Sequence, residues 1–177
     1  MSKTYTFTTP LTEEDTRQLK AGDIVLLNGT IYTARDAAHK KLSDLIEAGE
    51  ELPFDLKGSI IYFVGPTPPK PGEPIGSAGP TTSYRMDSYS PTMLKNGSLG
   101  MIGKGKRNQA VKDACKEFGG IYFGATGGAG ALLGKKITSA EVIAYPELGP
   151  EAIRKITVKD FPVTVINDTH GADLYQM

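Results

Sequence analysis

Cysteine, histidine and tryptophan are close to absent from this chain: Cys115 stands alone, His39 and His170 are the only histidines, and there is no tryptophan. A lone cysteine excludes an internal disulfide. So few thiols and imidazoles exclude a structural zinc site, which takes several Cys or His ligands. They also exclude an iron–sulfur cluster held by this chain alone, since such a cluster takes three or four thiolates. An excess of charge is missing too, with twenty Lys and Arg against twenty Asp and Glu. Broad nucleic-acid binding, which needs a basic face to neutralise phosphates, is therefore not expected. No apolar run approaches the ~20 residues that span a bilayer. Met1-Ser2-Lys3-Thr4-Tyr5 lacks the apolar stretch of a signal peptide. These absences point to a cytoplasmic protein without membrane or nucleic-acid partners.

What is present reads as one α/β domain over residues 1–177, long enough for a real core. Thr12-Glu13-Glu14-Asp15 starts a short helix, with a Thr cap and an acidic first turn. Residues 23–27 form a buried-type strand. Asn28-Gly29 signals a hairpin turn, and residues 30–33 form the returning strand. A helix over 35–48 closes at Gly49 and carries Ala38, Leu42, Leu45 and Ile46 on one face. Residues 59–64 are a strand, and 65–80 a Pro/Gly-dense loop of functional length. Residues 83–95 follow as a helix that Pro91 breaks or kinks. After a strand at 99–102 comes a helix over 107–118 with Val111, Ala114, Cys115 and Phe118 as its apolar stripe. A strand at 121–123 leads to the glycine-rich turn 126–131. Strands at 141–145, 155–158 and 163–166, with one helical turn at 150–154, complete the chain. Alternating strands and helices predict a mixed, largely parallel sheet with covering helices.

Several basic residues stand where such a fold gathers its ligands, at strand-to-helix and loop-to-helix junctions. They are Arg35, Arg85, Lys104 and Arg107. Each alone reads more readily as a solvated surface cation. Four of them at junctions favour a small polyanion such as a dicarboxylate, which two arginines can clamp in fork geometry. Helix starts add free N–H donors that suit an anion. Thr81 and Thr82 precede Arg85, and one of them serves as a helix cap in the plain structural reading. Lys104 lies between Gly103 and Gly105, without the full pattern of a nucleotide phosphate loop. Residues 124–130 read as an anion cradle or as a tight turn. Cys115 reads as core packing. His39, beside Lys40 and Lys41, reads as solvated, and His170 as structural or exposed.

Five segments together resemble a known family. They are Thr33-Ala34-Arg35-Asp36-Ala37-Ala38-His39-Lys40, Gly79-Pro80-Thr81-Thr82-Ser83-Tyr84-Arg85-Met86-Asp87, Gly103-Lys104-Gly105-Lys106-Arg107, Gly119-Gly120-Ile121-Tyr122-Phe123-Gly124 and Asp160-Phe161-Pro162-Val163. They resemble the beta subunit, or C-terminal domain, of class I iron–sulfur-dependent fumarate hydratases. L(+)-tartrate dehydratase beta subunits look similar. The resemblance runs from about residue 11 to 171 and implies a swivelling β/β/α domain. It also implies a partner alpha subunit holding a four-iron–four-sulfur cluster, in alpha–beta pairs that double into a heterotetramer. An isolated chain would self-associate through the surface meant for that partner.

By the same resemblance, Arg35 and Arg85 bind substrate and Thr81 donates a proton. Lys104 is the active-site lysine, Thr82 assists binding, and Arg107 and Asp87 form a supporting shell. One departure is visible: Lys106 stands where the family commonly has Asn. The reaction implied is reversible hydration of fumarate to malate. Tartrate dehydration and methylfumarate hydration stand as alternatives, and a non-catalytic anion-binding module as the reading of another class.

Overall fold

The computed structural model describes residues 2–125 and 130–177, with the backbone alone at Ala131. The glycine-rich turn expected at 126–131 lies mostly outside the described residues. Seven strands are described: β1 (Thr4–Thr8), β2 (Ile24–Thr33), β3 (Ile60–Tyr62), β4 (Gly100–Gly103), β5 (Ile121–Ala125), β6 (Ile137–Ala144) and β7 (Ile153–Asn167). The helices are α1 (Glu13–Arg17), α2 (Asp36–Ala48), α3 (Ser90–Lys95), α4 (Gln109–Phe118) and α5 (Gly130–Gly134). Short 3-10 turns occupy Ser83–Met86, Pro146–Glu151 and Leu174–Gln176.

The mixed α/β character is as the sequence predicts, but the sheet closes on itself. The strand order is β1-β2-β3-β4-β5-β7-β6, with a further pairing between β2 and β7. The ring β2-β3-β4-β5-β7 is thus a five-stranded barrel, with β1 and β6 as flanking strands. Strands β1 to β5 run parallel, and β7 runs antiparallel to β2, β5 and β6.

Alternation along the strands explains two apolar layers. Ile60 and Tyr62 of β3 point into one cluster with Val25, Leu27, Ile31, Phe123 and Phe161. Ile61, with Phe63 just beyond, points into another with Ala38 and Leu42 of α2, Met93 of α3, and Val111 and Cys115 of α4. Each large side chain so buried contributes ~1.5–3 kcal/mol. The helix ends follow the expected chemistry. Thr12 and Asp15 form a reciprocal capping box on α1, and Asn108 caps α4 by accepting from the Val111 amide. Gly49 and Gly119 close α2 and α4 in the left-handed conformation.

Four local expectations are corrected. Asn28-Gly29 makes no hairpin: β2 continues through it, and the register with β7 shifts between Leu27 and Gly29. The pair forms a bulge that bends β2 around the barrel. Gly29 has φ +105°, and a Cβ there would stand 2.6 Å from Thr9 Oγ1. Asn28 Oδ1 accepts from the Asp160 amide at 3.0 Å, where β7 itself takes φ +49°. Next, the two expected C-terminal strands are one fifteen-residue strand, β7. It also takes in Arg154, so the helical turn ends at Glu151. Finally, the helix expected over 83–95 is two pieces. The break falls before α3, because Pro91 sits in the first turn of α3, where its missing N–H costs nothing.

Candidate active site

The barrel rim carries the candidate residues. Strands β2, β3 and β4 are parallel, so their carboxyl ends share one rim. Arg35 follows β2 and takes the N-cap position of α2. Lys104 follows β4 directly and is exposed. The Thr81–Thr82 segment lies along the same rim: the Thr81 amide donates to the Phe63 carbonyl at 2.8 Å, just beyond β3. Thr82 pairs with Lys104 in an isolated parallel bridge, and the Ser83 amide donates to the Lys104 carbonyl at 2.9 Å. Thr82 stands at the start of the 3-10 turn but makes no side-chain cap bond.

Two side chains clamp the 81–87 segment to the 103–108 segment. Tyr122, from β5, donates its hydroxyl proton to the Gly105 carbonyl at 2.8 Å and meets Ser83 Oγ at 2.8 Å. Burial pushes the Tyr122 phenol up to about 12, so it remains a donor. Gly103 must lack a side chain, because a Cβ there would collide with Ser83 Oγ. Arg107 is the second clamp. Its side chain is fully buried, with Nε 2.6 Å from Asp87 Oδ1 and Nη2 2.5 Å from Ser90 Oγ. Its guanidinium carbon lies 4.7 Å from the Tyr122 ring centroid and 5.2 Å from that of Phe63. Asp87 Oδ2 accepts from the Asn108 amide at 3.0 Å. Arg107 and Asp87 therefore spend their charges on each other and on the frame.

Arg35 and Arg85 come together across fifty positions. Asp36 joins them: its Oδ1 is 3.7 Å from Arg35 Nε and its Oδ2 is 3.9 Å from Arg85 Nη1. Arg85 is half exposed. The phenol of Tyr84 first, then the carboxylates of Asp36 and Glu151, raise the Arg85 pKa further above its ordinary value. Glu151 also accepts from the Ala37 amide at 3.4 Å, at the start of α2. Among the described residues, the guanidinium end of Arg35 donates no hydrogen bond to the protein, that of Arg85 is held beside the Tyr84 phenol and ring, and the Thr81 hydroxyl has no partner. Two cationic forks and a free hydroxyl on one rim can bind carboxylates and pass a proton.

His39 is buried, not solvated. Its Nδ1–H donates to the Arg35 carbonyl at 2.9 Å, and its ring meets Phe63 edge-on with centroids 5.3 Å apart. Burial pushes its pKa down to about 4, against the pull of the Arg35 carbonyl. His170 is exposed and bonds the Arg17 carbonyl at 3.0 Å. Cys115 is buried, and desolvation lifts its thiol to about 12. Sequence reasoning did not assign Asp36, Glu151 or Tyr122. Asp36 stood visible beside Arg35, but its second contact depends on a loop fold that no spacing encodes.

The donor set of this chain does not fit an iron–sulfur cluster. Among the described residues, no group of three or more His, Cys, Asp or Glu side chains is arranged to hold a metal ion. The single thiol is buried and held protonated.

A closed barrel whose parallel rim carries paired arginines, a lysine and a threonine defines an α/β domain with a cationic rim. Comparison with known proteins gives that class a family: residues 2–177 match the model for the Fumarase C-terminus, and the chain belongs to that family. It is 49% identical over 152 residues to the anaerobic class I fumarate hydratase of Escherichia coli, a match covering 85% of this chain and 28% of that protein. It is 41% identical over 179 residues to a putative class I fumarate hydratase of Geobacillus stearothermophilus, covering 98% of this chain and 34% of the relative. A relative of similar length is the putative L(+)-tartrate dehydratase subunit beta of Methanocaldococcus jannaschii. That match is 40% identical over 178 residues and covers 97% of this chain and 91% of the relative. The chain thus spans about a third or less of the fumarate hydratases named here.

Proposed function

We propose that this chain is the beta subunit of a two-part hydro-lyase, adding water reversibly to fumarate to give L-malate. The observation that carries the reading is the meeting of Arg35 and Arg85 at one rim, next to the bridge between Thr82 and Lys104. In this reading Arg35 and Arg85 each present a fork to a substrate carboxylate. Thr82 assists binding from the same rim. Lys104 neutralises charge that builds on the carboxylate side as the double bond is attacked. Thr81 transfers a proton on one face, and the surrounding cations stabilise its alkoxide form. Arg107 and Asp87 hold the rim in shape without touching substrate.

The remainder of the longer fumarate hydratases has no counterpart in this chain. The relative matched nearly end to end is named a subunit beta, and on that reading a separate alpha subunit would hold the four-iron–four-sulfur cluster that the resemblance implies, since the residues here do not fit one. Alpha–beta pairs doubled into a heterotetramer, in the cytoplasm, complete the proposal. The 1–177 unit is taken as one domain of the swivelling β/β/α kind. No described helix is long and apolar enough to cross a membrane.

A second reading has its own support. The relative that matches nearly end to end is named a putative L(+)-tartrate dehydratase subunit beta. Turnover of malate, tartrate and mesaconate by the reconstituted pair separates these substrates.

The test of the shared reading is Arg85→Ala in the reconstituted pair. The value of kcat/KM falls roughly a hundredfold, while circular dichroism and thermal unfolding stay as in the wild type. Near-normal turnover would overturn the site. The isolated chain is expected to be colourless and inactive, and hydratase activity from it alone would refute the two-part model.

A further inference from the structure

We infer that Asp36 is the positioning residue of the arginine pair, a role that rests on the substrate-binding reading of Arg35 and Arg85. Among the described residues, Asp36 alone is within ion-pair distance of both guanidiniums. Its contact with Arg35 follows from sequence adjacency. Its contact with Arg85 does not, because it bridges from the N-terminus of α2 to the 3-10 turn at Ser83–Met86.

The edges in use are informative. Asp36 faces Arg35 through Nε, the inner edge, and so leaves the terminal fork of Arg35 open. It faces Arg85 through Nη1. A carboxylate ligand needs two parallel N–H groups on each arginine: the approach at Nε leaves the terminal Nη1/Nη2 pair of Arg35, and the approach at Nη1 leaves the Nε/Nη2 edge of Arg85. Without Asp36, two like charges would share one rim with nothing between them, and they would splay apart.

The distances point further. Arg35 Nε and Asp36 Oδ1 are both shielded from solvent, and neither has a hydrogen-bond partner. They stand 3.7 Å apart, whereas a charge-assisted N–H···O bond closes to about 2.7–2.9 Å. Two orphaned buried groups facing each other across that gap are an incomplete bond. A closure of roughly 1 Å would complete it. The gap leaves Asp36 room to draw Arg35 in when a dicarboxylate engages both forks. Glu151, the last residue of the 3-10 turn Pro146–Glu151, accepts from the Ala37 amide beside Asp36.

The experiment uses the chain reconstituted with its alpha partner, comparing wild type, Asp36→Asn, Asp36→Glu and Arg85→Ala. KM for malate and the inhibition constant of succinate, a dicarboxylate that cannot react, are read beside kcat and the melting temperature. For Asp36→Asn, KM and the succinate constant rise about tenfold or more, kcat changes far less, and melting is unaltered. Asp36→Glu, which keeps the charge, recovers part of the loss. Unchanged or tighter succinate binding in Asp36→Asn would overturn the inference, because it would make Asp36 a bystander or a competitor. A parallel fall in kcat, binding and melting would reduce it to a structural residue and equally overturn it. Arg85→Ala separates the levels: if that variant is near normal, the functional reading itself fails. If it is crippled while Asp36→Asn is not, only the role of Asp36 fails.

Discussion

Arg107 Nε meets Asp87 Oδ1 at 2.6 Å, across twenty positions of sequence and with the arginine side chain wholly buried. The pair ties the turn that carries Arg85 to the loop that carries Lys104. Taking away one partner of such a buried pair costs about 3 kcal/mol or more, since the other charge is left unpaired. Arg107→Ala is therefore expected to lower the melting temperature strongly. Arg107→Lys should recover little, because an ammonium cannot also reach Ser90 Oγ and stack between Phe63 and Tyr122. Thermal unfolding of both variants checks this, and a melting temperature near wild type in either would refute the clamp.

Tyr122→Phe removes one hydroxyl that serves Ser83 and Gly105 together. Leaving buried polar partners unsatisfied costs ~1–3 kcal/mol. The effect should concentrate on the rim, where the Ser83 amide bonds the Lys104 carbonyl. Hydrogen exchange at Ser83 is expected to quicken more than exchange at Ile61 in the β3 core. Equal changes at both would mean the hydroxyl has no local role.

His39 gives the fold an acid-side weakness. Its folded pKa, about 4, lies below the ordinary value of 6.5. The folded state therefore binds fewer protons than the unfolded chain between those values. The stability held by the neutral ring is present above pH 6.5 and is lost as pH falls towards 4, up to about 3 kcal/mol. His39→Gln should start less stable at pH 7 and fall less steeply with acid. Urea unfolding of both proteins at pH 7 and pH 4.5 measures the difference, and identical slopes would refute it.

Cys115 should behave as an inert core residue. Its thiol is buried and lifted to about 12, so almost no thiolate forms at neutral pH. A thiol-reactive dye is expected to leave the folded chain unlabelled for as long as it stays folded, and to label it fully in guanidinium. Prompt labelling of native protein would contradict this burial.

Much of the frame was legible in order along the chain. Cap residues and left-handed glycines marked α1, α2 and α4, because helix ends are set by local chemistry. The barrel was not legible, since closure is a pairing between β2 and β7, more than a hundred residues apart, and no window contains both. Asn28-Gly29 misled for a related reason. The same φ-positive glycine serves a tight turn or a bulge, and only the partner strand decides which. His39 was placed on a polar face by its lysine neighbours, yet α2 turns that face onto Phe63. The cations at the junctions were readable as a set. Their division into open forks, Arg35 and Arg85, and a spent clamp, Arg107, was not, because Asp87 reaches Arg107 only after the 3-10 turn forms.

Strand β7 bonds to β2, β5 and β6 and is the last of the described strands. Without β7, strands β1 to β5 form only an open parallel ribbon with no closing neighbour. The curvature of the rim that gathers Arg35, Arg85 and Lys104 therefore depends on β7. A chain cut short before β7 would expose the flanks of β2 and β5 as sticky edges.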